Sequence, residues 1–416
     1  MVSDHPLLHP ANDKSKQDLG IYIHIPFCVK KCDYCDFLSA PASDEIKKRY
    51  ILAILQEIYS YKDLATDYQV PTIFIGGGTP SSINGSYIEE IMRALQAVFD
   101  INKSTLEATI EINPGTIDKE KLLSYQRAGL NRISFGLQSS VKEELKSLGR
   151  IHSFEDFLKN YHLARELGFD NINVDLMSAL PGQTIDSWER TLAHMIALSP
   201  EHISAYSLII EEGTPFFDRY QKQDKTQGIA NDILPDEDTD RYMYERTKEI
   251  LSQNGFERYE ISNYAKRGYE CRHNKVYWST TQYLGIGLGA SSLINHTRFH
   301  NTTDLKEYLS LCNQEEKEGD NLRTLSLPGS LRRDMEILSV KEQMEEFMFL
   351  GLRLCEGIEK KEFFHRFHKS VEEVYPDVIK SLQEKQLLIA KGDRWYLSDY
   401  GIDISNVVLA EFLLPE

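Results

Sequence analysis

The chain has 416 residues, of which 41% are hydrophobic and 27% are charged, and this composition is typical of a folded globular protein. The length is too great for one ordinary domain and is sufficient for two. There are 47 lysine and arginine residues against 64 aspartate and glutamate residues, which gives a formal net charge of −17. This excess argues against binding to nucleic acid or to an anionic membrane through diffuse positive charge.

The N-terminal stretch, residues 1–19, is polar and lacks the apolar segment of a secretory signal. Elsewhere no run approaches the roughly 20 apolar residues that cross a bilayer. We therefore expect a cytoplasmic protein with a polar N-terminal tail.

Short apolar runs alternate with longer amphipathic stretches from residue 20 to about residue 210. The runs are rich in β-branched and aromatic residues and mostly stop at glycine or proline, which predicts strands. Repeated β–α units form parallel sheets with right-handed crossovers. Because six units are fewer than the eight of a closed barrel, we predict a partial barrel. The predicted strands are 21–27, 72–75, 107–112, 132–135, 172–176 and 202–208, and the clearest helical stretches between them are 45–61, 87–99 and 154–167.

Residues 211–330 are predicted to form a connecting region. The polar, acidic segment 218–240 indicates a loop or lid, and a helix is expected at about 238–253. A strand-like segment at 259–261 and a glycine-rich run at 284–290 follow.

Residues 331–416 form a pattern of their own. Helical patterns at 341–355, 360–367 and 371–385 precede a strand, a turn with Gly392 and Asp393 at its tip, and a second strand. This order predicts a small winged-helix-like α+β domain. Such domains often bind DNA, but the acidity of this chain favours a packing or lid role and no nucleic-acid partner.

Three of the six cysteines fall within eight residues, directly after the first predicted strand: Cys28, Cys32 and Cys35. Thiolates suit iron–sulfur clusters and zinc, and three on one tight loop can hold three irons of a [4Fe-4S] cluster. The fourth iron would then be open to chelate the amino and carboxylate groups of a small molecule. The alternatives are an inert set of thiols and a zinc site that borrows Asp33, Asp36 or His24. Cys312 and Cys355 are expected in the core.

The segments YIHIPFCVKKCDYCDF, GGGTP and ISFGLQS together resemble the radical S-adenosylmethionine (SAM) superfamily, in its coproporphyrinogen III dehydrogenase branch. The resemblance runs from about Tyr22 to the C-terminus. It implies a partial (β/α)6 barrel and reductive cleavage of SAM at a [4Fe-4S] cluster that an electron donor reduces.

The predicted SAM site follows from the same resemblance and suits the chemistry of its residues. Glycines allow close backbone approach, and the carboxyl ends of parallel strands are where α/β folds place their sites. Arg150 corresponds to the partner of the SAM carboxylate, which a guanidinium matches bidentately. Asp175 corresponds to an acceptor from the ribose hydroxyls. The further contacts that the resemblance implies are Tyr22, Tyr34, Gly77, Gly78, Thr79, Glu111, Gln138 and Ile209.

Two features depart from the dehydrogenase pattern C-x3-C-x2-C-x-C. Phe37 stands at the position of its last cysteine, and residues 271–278 read CRHNKVYW. The H-N-x-x-Y-W element and the C-terminal LSDYG…SNVVLAEFL resemble the HemW-type haem chaperones, a sister group that binds haem and delivers it to haem-requiring proteins.

The resemblance implies a haem site at His273, Asn274, Tyr277 and Trp278. An imidazole can ligate haem iron, a neighbouring asparagine can orient it, and an aromatic pair can cover the macrocycle. The alternative is that the Tyr–Trp pair packs at the barrel mouth with His273 hydrogen-bonded locally. Other candidate ligands are Cys271, His296, His300, His365 and His368.

We therefore expect a haem chaperone that carries a SAM-coordinated [4Fe-4S] cluster and passes haem to apo-haemoproteins, with membrane-associated clients among the candidates. An enzymatic step on SAM is left open. The runner-up is a radical enzyme that removes propionate carboxylates from coproporphyrinogen III to give protoporphyrinogen IX. A third reading is a zinc-stabilised barrel without catalysis.

Overall fold

The computed structural model describes residues 16–220, 234–312 and 327–415. Most of the predicted N-terminal tail, the middle of the predicted lid at 218–240 and part of the predicted connecting region lie outside the described residues.

A large mixed sheet forms the main body of the described chain. Its twelve strands follow the spatial order β12-β11-β10-β9-β1-β2-β3-β4-β5-β6-β8-β7. The first six strands are Gln17–Ile25 (β1), Tyr68–Gly77 (β2), Glu107–Ile112 (β3), Arg132–Gln138 (β4), Ile172–Ser178 (β5) and His202–Ser207 (β6). The other six are Glu257–Arg258 (β7), Asn263–Ala265 (β8), Tyr283–Ile286 (β9), Ser291–Ile294 (β10), Thr297–Asn301 (β11) and Arg332–Ile337 (β12).

Strands β1 to β6 are parallel and neighbour one another in chain order. The strand beyond β6 is the antiparallel β8, so β1 and β6 do not pair and the barrel stays open. The predicted partial (β/α)6 barrel is confirmed.

Helices follow the strands and cover the outer face of the sheet. Those of the barrel region are Asp44–Ser60 (α1), Gly85–Val98 (α2), Lys119–Ala128 (α3), Lys142–Ser147 (α4), Phe154–Glu166 (α5) and Ile185–Leu198 (α6). Five of these six helix starts can be identified in the sequence, because side chains cap the first turn at Ser43, Asn84, Asp118, Ser153 and Thr184. The next four helices are Pro215–Tyr220 (α7), Glu237–Gln253 (α8), Arg272–Trp278 (α9) and Leu305–Cys312 (α10).

The barrel strands have an apolar outer face and a polar inner face. In β1, Ile21, Ile23 and Ile25 are fully buried in the main core against the helices, whereas the alternate residues Tyr22 and His24 face the barrel interior. The same alternation turns Arg132, Ser134 and Gly136 of β4 and Asn173 and Asp175 of β5 towards one interior cavity. Six neighbouring strands thus gather polar side chains in the middle of the sheet.

The region 211–330 contributes more than a connection. Strand β9 pairs in parallel with β1, while β8 pairs with β6, so this region extends both edges of the sheet. The predicted helix at 238–253 is confirmed as α8. The predicted strand at 259–261 is wrong, because these residues join the short strands β7 and β8. The division at about residue 210 stays a prediction and marks the end of the six β–α units.

The C-terminal part forms a second body with its own apolar core. Its helices are Val340–Gly351 (α11), Lys360–Phe367 (α12), Val371–Val374 (α13), Pro376–Glu384 (α14), Asp399–Asp403 (α15) and Ser405–Ala410 (α16). Strands Ile358–Glu359 (β13), Leu388–Lys391 (β14) and Arg394–Leu397 (β15) form a small antiparallel sheet. The predicted helix at 371–385 is two helices, because Tyr375 precedes Pro376 and leaves the helical conformation.

No helix among the described residues is both long enough and apolar enough to cross a membrane.

Candidate functional site

The cysteine triad lies on a loop that leaves the carboxyl end of β1. The two ends of this loop are held together, since Cys28 N donates to Ala40 O at 3.3 Å and Ala40 N donates to Pro26 O at 2.9 Å. Cys35 N donates to Cys32 O at 3.2 Å, which makes a tight turn between the second and third cysteines. The backbone therefore presents three thiols on one compact loop.

All three cysteines are free and line the same cavity, whose volume is about 490 Å³. Burial raises the pKa of Cys28 and of Cys35. In the described ranges, no three His, Cys, Asp or Glu side chains converge as ligands of a single metal ion. The thiolates of a [4Fe-4S] cluster bind different irons and need not meet at one point, so the loop fits such a cluster.

The glycine-rich turn after β2 approaches the cysteine loop closely. Gly77 adopts φ 118°, in the region that favours glycine, and its N–H donates to Glu111 Oε2 at 3.1 Å. A Cβ on Gly77 would lie 2.7 Å from the ring of His24, and one on Gly78 would lie 2.8 Å from Phe27 O. Glycine is required at both positions.

Two carboxylates face the cavity from β3 and β5. Burial, followed by the neighbouring Asp175, raises the pKa of Glu111 to about 8. Burial also raises the pKa of Asp175, against hydrogen bonds from Asn173 at 2.7 Å and Ser134 at 3.1 Å. A cationic or hydroxyl-bearing ligand would relieve the cost of ionising both groups.

Arg150 links the cysteine loop to β4. Its Nη1 lies 3.5 Å from Cys32 Sγ, and its Nη2 donates to Asn113 Oδ1 at 2.9 Å and to Gly136 O. The Nε atom is buried and has no hydrogen-bond partner in the described part of the chain. An orphaned guanidinium N–H beside the triad fits a ligand carboxylate there.

Gln138 ends β4 at a strained backbone position, with φ 72°. The register with β5 shifts between Gly136 and Gln138, which turns the Gln138 side chain into the cavity wall. Tyr206 OH donates to Gln138 Oε1 at 3.1 Å.

All of the predicted SAM-site residues except Tyr22 therefore line one cavity. Ile209 lines the mouth and is 70% exposed. Tyr22 does not line the cavity, because its hydroxyl lies 3.0 Å from His24 Nδ1 and its ring stacks near Phe74. The cluster cysteines and predicted SAM contacts that line the cavity are Cys28, Cys32, Cys35, Tyr34, Gly77, Gly78, Thr79, Glu111, Gln138, Arg150, Asp175 and Ile209.

The HNxxYW element forms helix α9, which lies at the amino ends of the strands and closes the floor of the cavity. Glu107 of β3 accepts the backbone N–H groups of Arg272 and His273, each at 3.0 Å, and so anchors the start of the helix. Asn274 and Cys271 line the cavity from below.

His273 is 2% exposed. Its ring nitrogens lie 2.9 Å from Thr72 Oγ1 and 3.1 Å from Tyr277 OH, so both have partners inside the protein. Trp278 faces the C-terminal body, where the guanidinium of Arg353 lies 4.4 Å from its ring centroid. Of the four proposed haem residues, only Asn274 lines the cavity.

The other candidate histidine ligands lie away from the cavity lining, whereas Cys271 lies in it. His300 is bound to Asp334 at 2.8 Å, whereas His365 and His368 are exposed on α12 or at its end and His296 is exposed at a turn. Cys312 lies in the main core, and Cys355 packs against the C-terminal core, as predicted.

Sequence reasoning missed several polar residues of the cavity wall: Asn113, Arg132, Asn173, Ser204 and Tyr206. Most occupy alternate positions on the inner faces of strands that the sequence did predict. The alternation of side chains along each strand could therefore have identified these residues as a group. The sequence does not show which of the two strand faces is the interior.

Known protein families and structures are similar to this chain in both of its parts. Residues 22–195 match the Radical SAM superfamily model, and residues 338–404 match the HemN C-terminal domain model. The heme chaperone HemW of Bacillus subtilis (strain 168) is 36% identical over 94% of this chain and 98% of its own length. The heme chaperone HemW of Lactococcus lactis is 34% identical over 95% of this chain and 97% of its own.

The solved coproporphyrinogen III oxidase (HemN) of Escherichia coli, described as a radical SAM enzyme, aligns with a TM-score of 0.79. The alignment covers 96% of this chain and 90% of that chain at 22% identity, and it shows that the two share a fold.

Proposed function

Since the chain belongs to the HemW haem chaperone family, within the radical SAM superfamily, we propose that it binds haem and transfers it to apo-haemoproteins while carrying a SAM-coordinated [4Fe-4S] cluster. The observation that carries this proposal is the similarity to haem chaperones over 94% of the chain at 36% identity. That similarity spans the barrel, the HNxxYW helix and the C-terminal body. The likeness to the oxidase, at 22% identity, concerns the fold.

In this proposal Cys28, Cys32 and Cys35 hold the cluster, and Arg150 receives the SAM carboxylate beside it. When bound, the cluster and SAM supply one-electron reductive chemistry. Glu111 and Asp175 accept hydrogen bonds from the ligand, and the backbone at Gly77 and Gly78 allows its close approach. Thr79, which accepts from Asn113 Nδ2 at 2.8 Å, and Gln138, Tyr34, Tyr22 and Ile209 complete the proposed site.

Haem is proposed to dock at the cavity mouth. Two large apolar side chains that line it are exposed, Phe37 at 63% and Ile209 at 70%. Val29 and Ile151, each 61% exposed, line a small second pocket that shares Cys32 and Arg150 with the cavity. Exposed apolar groups at a cavity rim mark a binding surface, and the face of a porphyrin matches their chemistry. Phe37, where the oxidase pattern has cysteine, thereby adds apolar surface.

The HNxxYW element stays a proposed part of the haem site through Asn274 and the floor of the cavity. For His273 to reach an iron, its contacts with Thr72 and Tyr277 would first have to break.

The proposed setting is the cytoplasm, where a reducing environment keeps the triad as thiols. The proposed partners are an electron donor for the cluster and apo-haemoprotein clients, including membrane-associated ones.

The test is a haem titration of anaerobically reconstituted protein, run beside a coproporphyrinogen III turnover assay. We expect a Soret band that saturates with haem, no protoporphyrinogen, and transfer of haem to an added apo-haemoprotein. The triple variant Cys28→Ala, Cys32→Ala, Cys35→Ala separates haem binding from the cluster. Turnover to protoporphyrinogen without stable haem binding would reverse the proposal.

A further inference from the structure

Arg132 is a buried cation that makes no side-chain hydrogen bond or ion pair with the described residues. It begins β4, is 1% exposed and lines the cavity. Its Nε has no hydrogen-bond partner, and no hydrogen bond or ion pair of its guanidinium occurs with any described residue. A buried charge normally pairs with an opposite charge, because leaving it unpaired is costly.

The acidic side chains near Arg132 are engaged elsewhere. Glu107 accepts from the backbone of Arg272 and His273, and Asp175 accepts from Asn173 and Ser134. Neither carboxylate lies within ion-pair distance of Arg132. Burial lowers the pKa of Arg132 and the charges of Cys271, Glu107 and Asp175 raise it, but no described side chain forms a hydrogen bond or ion pair with the guanidinium. A direct partner for the cation can therefore come from a bound anion.

Arg132 lies at a different depth in the cavity from Arg150. The Nη2 of Arg150 is fixed on Gly136 O, four residues further along β4, which corresponds to about 13 Å along an extended strand. Arg150 thus serves the end beside the cysteine loop. Arg132 lines the closed end of the cavity, together with Asn274 and Cys271 of its floor.

We propose that Arg132 binds a carboxylate group of a ligand at the closed end of the cavity. The planar guanidinium matches a carboxylate bidentately, and the surrounding burial makes the pairing strong. The ligand is a propionate of haem, and this assignment rests on the proposed function. The methionine carboxylate of SAM, placed above at Arg150, shares the chemistry and is the second source that the test distinguishes.

Two ligand pairs distinguish the sources. Dissociation constants are measured for haem and haem dimethyl ester, and for SAM and decarboxylated SAM, with wild type, Arg132→Gln and Arg132→Lys. We expect wild type to prefer the carboxylate form of one pair by roughly tenfold or more, as for a hydrogen-bonded charge. Arg132→Gln should lose that preference and bind the carboxylate-free counterpart unchanged, and Arg132→Lys should keep part of the preference.

A preference in the haem pair that depends on Arg132 assigns the carboxylate to a propionate. A preference in the SAM pair that depends on Arg132 would move the SAM carboxylate from Arg150 to Arg132 and overturn the assignment to haem. If Arg132→Gln keeps both preferences, the inference is overturned. Absence of haem binding in wild type would defeat the proposed function, whereas the SAM pair would still test Arg132.

A ligand-free measurement separates binding from a structural role. Removing a buried charge that contacts no opposite charge should cost less than breaking a close ion pair, so Arg132→Met should lower the Tm of ligand-free protein less than a matched paired control. The matched control is Arg165→Met, because Arg165 is paired with Glu201 at 2.7 Å and hydrogen-bonded to Tyr161. That variant should lower the Tm. A decrease for Arg132→Met as large as for Arg165→Met would contradict the inference.

Discussion

The Nδ1 atom of His273 lies 2.9 Å from the hydroxyl of Thr72, and this contact ties helix α9 to the inner face of β2. The imidazole also stacks on Phe74, with ring centroids 5.3 Å apart. Burial, followed by the charge of Arg132, lowers the pKa of His273 to about 3, so its ring is neutral at pH 7. In this conformation His273 holds helix α9, whose Asn274 lines the floor of the cavity.

Replacing His273 with Ala should therefore cost stability before it costs haem binding. The change leaves a cavity and removes two contacts, and we expect a loss of about 2–4 kcal/mol in the free energy of unfolding. Urea unfolding at pH 7 measures this loss, and a haem titration measures the Soret spectrum. His365→Ala, at an exposed position of α12, is the control. A normal stability with a lost haem spectrum would instead favour His273 as a ligand.

The same histidine makes the fold sensitive to acid. Its pKa is 6.5 ordinarily and about 3 in the folded protein, so below pH 6.5 the unfolded chain takes up a proton that the folded chain excludes. Stability should fall as the pH decreases from 6.5 towards 3, by about 2 kcal/mol at pH 5 from this residue alone. Unfolding curves at pH 7 and pH 5 should show a smaller difference in His273→Ala than in wild type.

The cysteines should divide into two groups. Ala at Cys28, Cys32 or Cys35 should each abolish the cluster, whereas Cys312→Ala should keep it, since Cys312 is buried in the core. Anaerobic reconstitution followed by iron and sulfide analysis should give about four of each per chain for wild type. Zinc in place of iron would end both radical SAM readings.

Glu111→Gln should raise the free energy of unfolding and weaken SAM binding. The pKa of Glu111 is about 8 in the folded protein and 4.5 ordinarily, so the stability it contributes below pH 4.5 is lost as the pH rises to 8. We expect the variant to be more stable than wild type by roughly 4 kcal/mol at pH 8 and similar at pH 4.5. Calorimetry should show SAM binding weakened by about tenfold, because a charged acceptor is lost. Unchanged SAM affinity would remove Glu111 from the proposed site.

Gly77→Ala should lower the free energy of unfolding by more than the strain of a positive φ angle alone. Gly77 and Gly115 both have positive φ, at 118° and 81°, but a Cβ on Gly115 meets nothing within 4 Å. Gly115→Ala should therefore cost about 1 kcal/mol from strain. Gly77→Ala adds a clash with His24 and should also weaken SAM binding. Equal losses of stability and affinity in the two variants would argue against close approach at Gly77.

The sequence by itself determined the β–α repeat, the position of the cysteine triad and the helix starts, because these are local patterns of spacing, capping and alternation. It failed at 259–261 and at Tyr375, where short apolar or helical patterns lack enough length to decide between structures.

Only the tertiary structure decided which strand faces line the cavity and what lies at its floor. The sequence placed His273 in a haem motif, yet its partners Thr72 and Phe74 lie about 200 residues earlier. Likewise nothing local distinguishes Arg132 from a solvated arginine. Arg132 has no hydrogen-bond or ion-pair partner among the described residues because Glu107 and Asp175 accept hydrogen bonds from other groups. Packing between distant segments of the chain determines those hydrogen bonds.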